Sequence, residues 1–156
     1  MKKYFLIAII GLLFVGTTMT SCKKEEEEPE PVVDVRDQYV GTWQSKEIGS
    51  LTIYQNGSSV GTVPIDTSGS VEITKSGEKS LIIDGKLFVV NDNKLSSDPE
   101  SVTETDNGVN MVGTATFSGQ LGSNVITINS SITGSWSNSN GASGNYSGTT
   151  VRTLTK

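Results

Sequence analysis

From Tyr39 to the C-terminus the chain runs in short segments where apolar and polar residues alternate, with Gly, Asn, Asp and Ser between them. A period of two puts every second side chain on one face, as in a half-buried strand, and helical spacing is almost absent here. The pattern predicts strands over 41–48, 50–55, 59–65, 70–75, 80–84, 86–90, 108–118, 124–132, 134–139 and 143–154, and leaves 91–108 as a loop region. Asn56-Gly57, Asp84-Gly85, Asn107-Gly108 and Asn140-Gly141 supply residues that tolerate positive φ, so they read as turns. Pro64 and Pro99 fall near segment ends, where a missing backbone donor costs least.

Parity identifies the expected inward faces. Val109, Met111, Ala115 and Phe117 share one face of their segment, and Ile126, Ile128, Ile132 and Trp136 share one face of the next. Val71 with Ile73, Leu81 with Ile83 and Leu87 with Val89 continue the theme on shorter strands. No segment is apolar on both faces along its length, which favours an antiparallel meander over a buried parallel sheet. A meander of about eight to ten strands hides its edges by closing into a barrel or by pairing into a sandwich.

The N-terminus follows different rules. Lys2 and Lys3 precede an apolar stretch over 5–15, too short to span a bilayer, which needs about 20 apolar residues. A basic start, an apolar run and small residues at its end make a secretory signal peptide over 1–21. Cys22 is the sole cysteine, so it has no intramolecular disulfide partner. Its position directly after Thr20-Ser21 resembles the bacterial lipobox, whose cysteine is diacylated and becomes the N-terminus, with Met19 in place of the usual leucine. Acyl chains contribute about 0.8 kcal/mol per buried CH₂, so several of them hold a protein on a membrane without a transmembrane helix. The run from Lys23 through four glutamates to Pro31 cannot bury apolar surface, and 22–38 reads as a disordered acidic tether. A basic residue followed by acidic ones after a lipidated cysteine also resembles the signal that exports Bacteroidetes lipoproteins to the outer face of the outer membrane.

Composition narrows the function classes. The chain has 12 Lys and Arg against 17 Asp and Glu, a net charge of −5. From Cys22 onward the net charge is −7, so no nucleic acid is expected as a partner. The 118 residues from Tyr39 make one domain with one modest core. There is no histidine, and acylation would consume the only thiol, so neither a Ser-His-Asp nor a Cys-His mechanism can be assembled. Asp66, Glu72, Asp84, Glu100, Glu104 and Asp106 are the acids available for a carboxylate pair, but they fall on predicted turns and outward faces. Asp92, Asp98, Glu100 and Asp106 lie in or beside the predicted loop without the spacing of a calcium loop, and Gly141-Ala142-Ser143-Gly144 is a hairpin turn with no helix after it. No catalytic residue, metal or cofactor is expected.

Tyr39-Val40-Gly41-Thr42-Trp43 opens the first strand and Val151-Arg152-Thr153-Leu154 closes the last. This pairing resembles the calycins, in which Gly-x-Trp begins the first strand and a basic residue near the end of the last strand crosses the indole. The chain is most similar to the small lipocalin-like or calycin-like surface lipoproteins of Bacteroidetes, although it lacks the helices after the first strand or before the last that larger calycins carry. The resemblance implies an all-β fold, an antiparallel up-and-down β-barrel of about eight strands over 39–156. It implies that Trp43 closes the bottom of the barrel, that Arg152 lies on its ring and that Gly41 admits a close backbone approach. A small apolar or amphipathic molecule inside the barrel is then the expected ligand. The alternative is a glycan or protein partner held on the outside of a solid core, because 113–150 is rich in Ser, Thr, Asn and Gly. Trp136, Tyr146 and Phe117 are the candidate ligand contacts.

Two substitutions test the N-terminal reading. Cys22→Ala is expected to abolish fatty-acyl labelling and to release the protein from the membrane fraction. Replacing Glu25 to Glu28 by alanine is expected to keep the label but remove access by protease added outside the cell.

Overall fold

The structure is a computed structural model and describes residues 33–156, so the signal segment, Cys22 and the start of the tether lie outside the described residues. The nine strands are β1 (Gly41–Gln55), β2 (Ser58–Ser76), β3 (Ser80–Ile83), β4 (Lys86–Asn91), β5 (Lys94–Ser96), β6 (Glu100–Asp106), β7 (Val109–Leu121), β8 (Val125–Asn138) and β9 (Ser143–Thr155). They form one antiparallel sheet in the order β5-β4-β3-β2-β1-β9-β8-β7-β6, and β5 also pairs with β7. The sheet therefore closes into a ring, with β6 continuing along the β7 edge beyond β5. Residues 33–156 form one compact unit that contains all the pairings and the core found among the described residues.

Three predicted breaks are absent. The segments 41–48 and 50–55 are one strand, as are 59–65 and 70–75, and 124–132 and 134–139. Glycine had marked two of these breaks, but in the sheet it serves close packing. A Cβ on Gly49 would stand 2.2 Å from the Thr149 carbonyl oxygen, and one on Gly134 would stand 2.3 Å from that of Val112. The predicted loop 91–108 holds two strands. Asp92 at φ 53° turns β4 back into β5, and β6 is an edge strand with Val102 as its one apolar residue, so it lacks the alternation that betrays a strand. Asn56-Gly57, Asp84-Gly85 and Asn107-Gly108 all take positive φ at both positions, as type I′ hairpins require.

The inward parity holds on β7 and β8 but not on β4. Leu87 and Val89 face outward, 51% and 41% exposed, and Phe88 is buried at 2%. The two-residue turn pairs Ile83 with Lys86, which sets Phe88 opposite Leu81 and fixes the face. The main core gathers Trp43, Ile73, Leu81, Phe88, Ile126 and Leu154 with their neighbours where the short strands close the ring. Tyr146 is buried apart from this core, and its ring crosses Gly134 and Gly113; a Cβ on Gly113 would sit 2.3 Å from the tyrosine Oη. Those glycines leave the floor on which the ring lies.

A short 3-10 helix, Val35–Tyr39, closes the end of the ring at Trp43. Asp34 accepts the Arg36 backbone N–H and its Nε and Nη2, while Arg36 Nη1 donates to the carbonyls of Gly77 and Ser80 at 3.0 and 3.1 Å. These contacts hold the Asp34 carboxyl far below the usual carboxylate range, led by the side-chain bond from Arg36. Trp43 Nε1 donates to the Tyr39 carbonyl at 2.8 Å, which satisfies the indole in a dry site. Residues 33–38, assigned to the tether from sequence, thus belong to the folded unit, because Arg36 and Tyr39 are buried against it.

Two edges stay unpaired. Beyond the four-residue pairing with β3 and the Asp84 N–H bond to the Glu72 carbonyl, the outer side of β2 has no partner among the described residues from Ser58 to Val71, and neither has the outer side of β6. The Ser50 carbonyl points at Gly148 on β9, so Pro64, opposite Ser50 on β2, turns its nitrogen toward the free edge. A proline there removes a donor that another strand would need.

Trp43→Ala is expected to lower the unfolding free energy by about 3–5 kcal/mol, whereas Tyr146→Phe is expected to change it by less than about 1 kcal/mol in the stabilising direction, because the buried hydroxyl has no hydrogen-bond partner. Urea denaturation of the two variants checks both.

Candidate functional site: a cleft in the wall of the ring

The ring wall is incomplete on one side. β5 pairs with β4 only over Val89–Asn91, and on the β7 edge β5 ends at Ser96 while β6 begins at Glu100. Lys86 to Phe88 therefore face the segment 97–99 across a gap with no ladder hydrogen bonds. An open cleft of about 850 Å³ lies there, within the size range of small-molecule sites.

Its floor is apolar. Phe88 and Phe117 meet edge to face with centroids 6.5 Å apart, and Ile128 lies beside them. The Lys86 ammonium sits 4.1 Å from the Phe117 ring centroid and pairs with Glu100 across the gap. Its far wall is polar and comes from strand register. Glu47 on β1 faces Arg152 on β9, and Thr150 faces Ser130 on β8. Arg152 donates from Nε and Nη2 to Glu47 Oε2 at 3.0 and 2.7 Å, and from Nη1 to Asp84 Oδ2 at 2.8 Å. Thr150 donates to Glu47 Oε1 at 2.5 Å. Its single proton is thereby used, so Ser130 is the donor in the 2.5 Å contact between the two hydroxyls. Partial burial pushes the Glu47 carboxyl up, but the bonds from Thr150 and Arg152 outweigh it and the group ends below its ordinary value.

The expected Trp43–Arg152 pair is not formed. Arg152 lies opposite Glu47, four residues along β1 from Trp43, a separation of about 13 Å at 3.3–3.4 Å per residue. The cation over the Trp43 ring is Lys156, 5.5 Å from the centroid, which also donates to the carbonyls of Gln38 and Val40. Gly41 has φ 119°, and a Cβ there would meet nothing within 4 Å, so the glycine is required for its backbone angle and not for a close approach.

Of the candidate ligand contacts, Phe117 lines the cleft. Tyr146 is 2% exposed and offers no stacking face. Trp136 crosses Gly144 to donate to the Tyr54 carbonyl at 3.1 Å, beside a separate hollow of about 360 Å³. Among the six acids, Asp84 and Glu100 reach the cleft, from different elements of its lining, whereas Asp66, Glu72, Glu104 and Asp106 do not. Among the described residues, no group of three or more His, Cys, Asp or Glu is placed to hold a metal ion. Sequence reasoning missed Glu47 and Lys86. The signal for Glu47 was its parity: it shares the inward face of β1 with Trp43, where a charged side chain is out of place unless partnered.

Glu47 titrates lower in the folded chain than its ordinary value of 4.5, so its contribution to stability is complete above that pH and is lost as pH falls through the lower folded value. Glu47→Gln is expected to be less stable than the wild type at neutral pH and to lose less stability on acidification, as urea midpoints across the carboxylate range will show. No protein-family model matches the chain, and neither does any curated protein or solved structure.

Proposed function

We propose that this is a lipid-anchored protein of the bacterial outer membrane, facing outward, whose ring is a calycin-type barrel that holds a small amphipathic ligand without transforming it. The single observation that carries the ligand reading is the cleft of about 850 Å³, with Phe88, Phe117 and Ile128 on its floor and Glu47, Ser130 and Arg152 on its wall. An apolar floor next to a small number of fixed polar groups suits a molecule with a tail and a head. The Gly-x-Trp opening and the single meander running round the ring support the calycin reading. The signal segment and Cys22 support the anchor. A glycan-binding exterior is less well supported, since Tyr146 is buried and Trp136 stands alone.

Native mass spectrometry of residues 33–156, purified without detergent, is expected to find a co-purified amphiphile or to show saturable uptake of the uncharged dye Nile red. Ser130→Leu, which extends a larger apolar side chain from the wall into the cleft, is expected to weaken dye binding at least ten-fold while the far-UV spectrum is kept. Absence of saturable binding by the wild-type chain would sink the proposal.

A further inference from the structure

Six ionisable side chains line the cleft: Glu47, Asp84, Asp98 and Glu100 against Lys86 and Arg152, a net charge of −2. Neither cation is free. Arg152 is held by Glu47 through two nitrogens and by Asp84 through a third. Lys86 pairs with Glu100 and lies on Phe117. Carboxylate oxygens, by contrast, remain available: among the described residues Asp84 Oδ1 and Glu100 Oε1 carry no hydrogen bond and Asp98 has no ion pair. A carboxylate or phosphate head entering this cleft meets net negative charge and has to break an existing ion pair to find a cation. A cationic head meets open acceptors.

Lys86 shows how such a head would sit. Its side chain is itself an alkyl chain ending in an ammonium, and it crosses the cleft with the charge between an aromatic face and a carboxylate. We infer that the cleft selects amphiphiles with an ammonium head over those with an anionic head, and that the Lys86 ammonium competes with such a head for its position. This inference rests on the reading of the cleft as a ligand site and adds the chemical class of the ligand.

Dodecylammonium, dodecanoate and dodecanol, which share one tail, separate the possibilities when each is titrated calorimetrically into residues 33–156 below its micelle concentration. Dodecylammonium is expected to bind at least ten-fold more tightly than dodecanoate. Lys86→Met, which keeps the stem and removes the competing charge, is expected to tighten dodecylammonium binding several-fold. Asp98→Asn with Glu100→Gln, both at exposed positions, is expected to weaken it several-fold. Glu104→Gln with Asp106→Asn removes the same charge away from the cleft and is expected to change nothing. Dodecanoate binding as tightly as dodecylammonium, or an equal loss in the two double variants, would overturn the inference while leaving the ligand reading intact. If none of the three probes binds, the ligand reading falls as well.

Discussion

The structure depends on how an antiparallel sheet disposes of its two edges. Closure rests on Lys94–Ser96, three residues that pair with β4 on one side and β7 on the other. β3 and β4 are also short, four and six residues, while β1, β2, β7, β8 and β9 have 13 to 19. A ring can close only over the length that its shortest strands share. The main core fills that length, sealed by the 3-10 helix and Trp43, and the long strands continue past it as an open sheet edged by β2 and β6. The cleft lies where closure stops.

That position explains why charged groups stand on the inward face of β1 and β9. Past the sealed core the interior is wetter, so Glu47 and Arg152 keep their charges at a moderate cost of desolvation, and register places them opposite each other. Thr150 and Ser130 extend the set across β8 and β9, satisfying the remaining lone pairs in a chain with one direction of donation. The arrangement is rigid because each polar group belongs to a paired strand. Lys86, a long side chain at the first position of β4, reaches the site from outside this set and is held by Glu100 and the Phe117 ring.

Much of this was legible in the sequence. Strand class, antiparallel order, the tight hairpins and the inward faces of β7 and β8 all follow from period-two alternation and from residues that accept positive φ. Other features were illegible for physical reasons. Gly49 and Gly134 looked like breaks because a glycine that makes room for a neighbouring strand is indistinguishable, in one dimension, from one that ends a strand. Leu87-Phe88-Val89-Val90 is apolar on both parities, so only the turn before it decides which face turns inward. Arg152 was placed on Trp43 by the likeness of the chain ends, whereas the register, which no single sequence displays, gives it to Glu47. The cleft was least legible of all, since it arises from strand lengths that differ around the ring.

The free outer edge of β2 has a consequence for time as well as for shape. From Ser58 to Ser70 this strand is held by β1 alone, whereas Val71 packs opposite Trp43 in the main core, Glu72 and Ile73 are bonded on both sides, and Thr74 to Ser76 pair with β3. One continuous element therefore has two lifetimes. Its outer part can detach from β1 without disturbing Trp43 or Ile73, while the inner part opens only when the ring itself does. The other long strands have a neighbour on both sides, so the protein holds together as a slow-opening collar with one faster-opening edge.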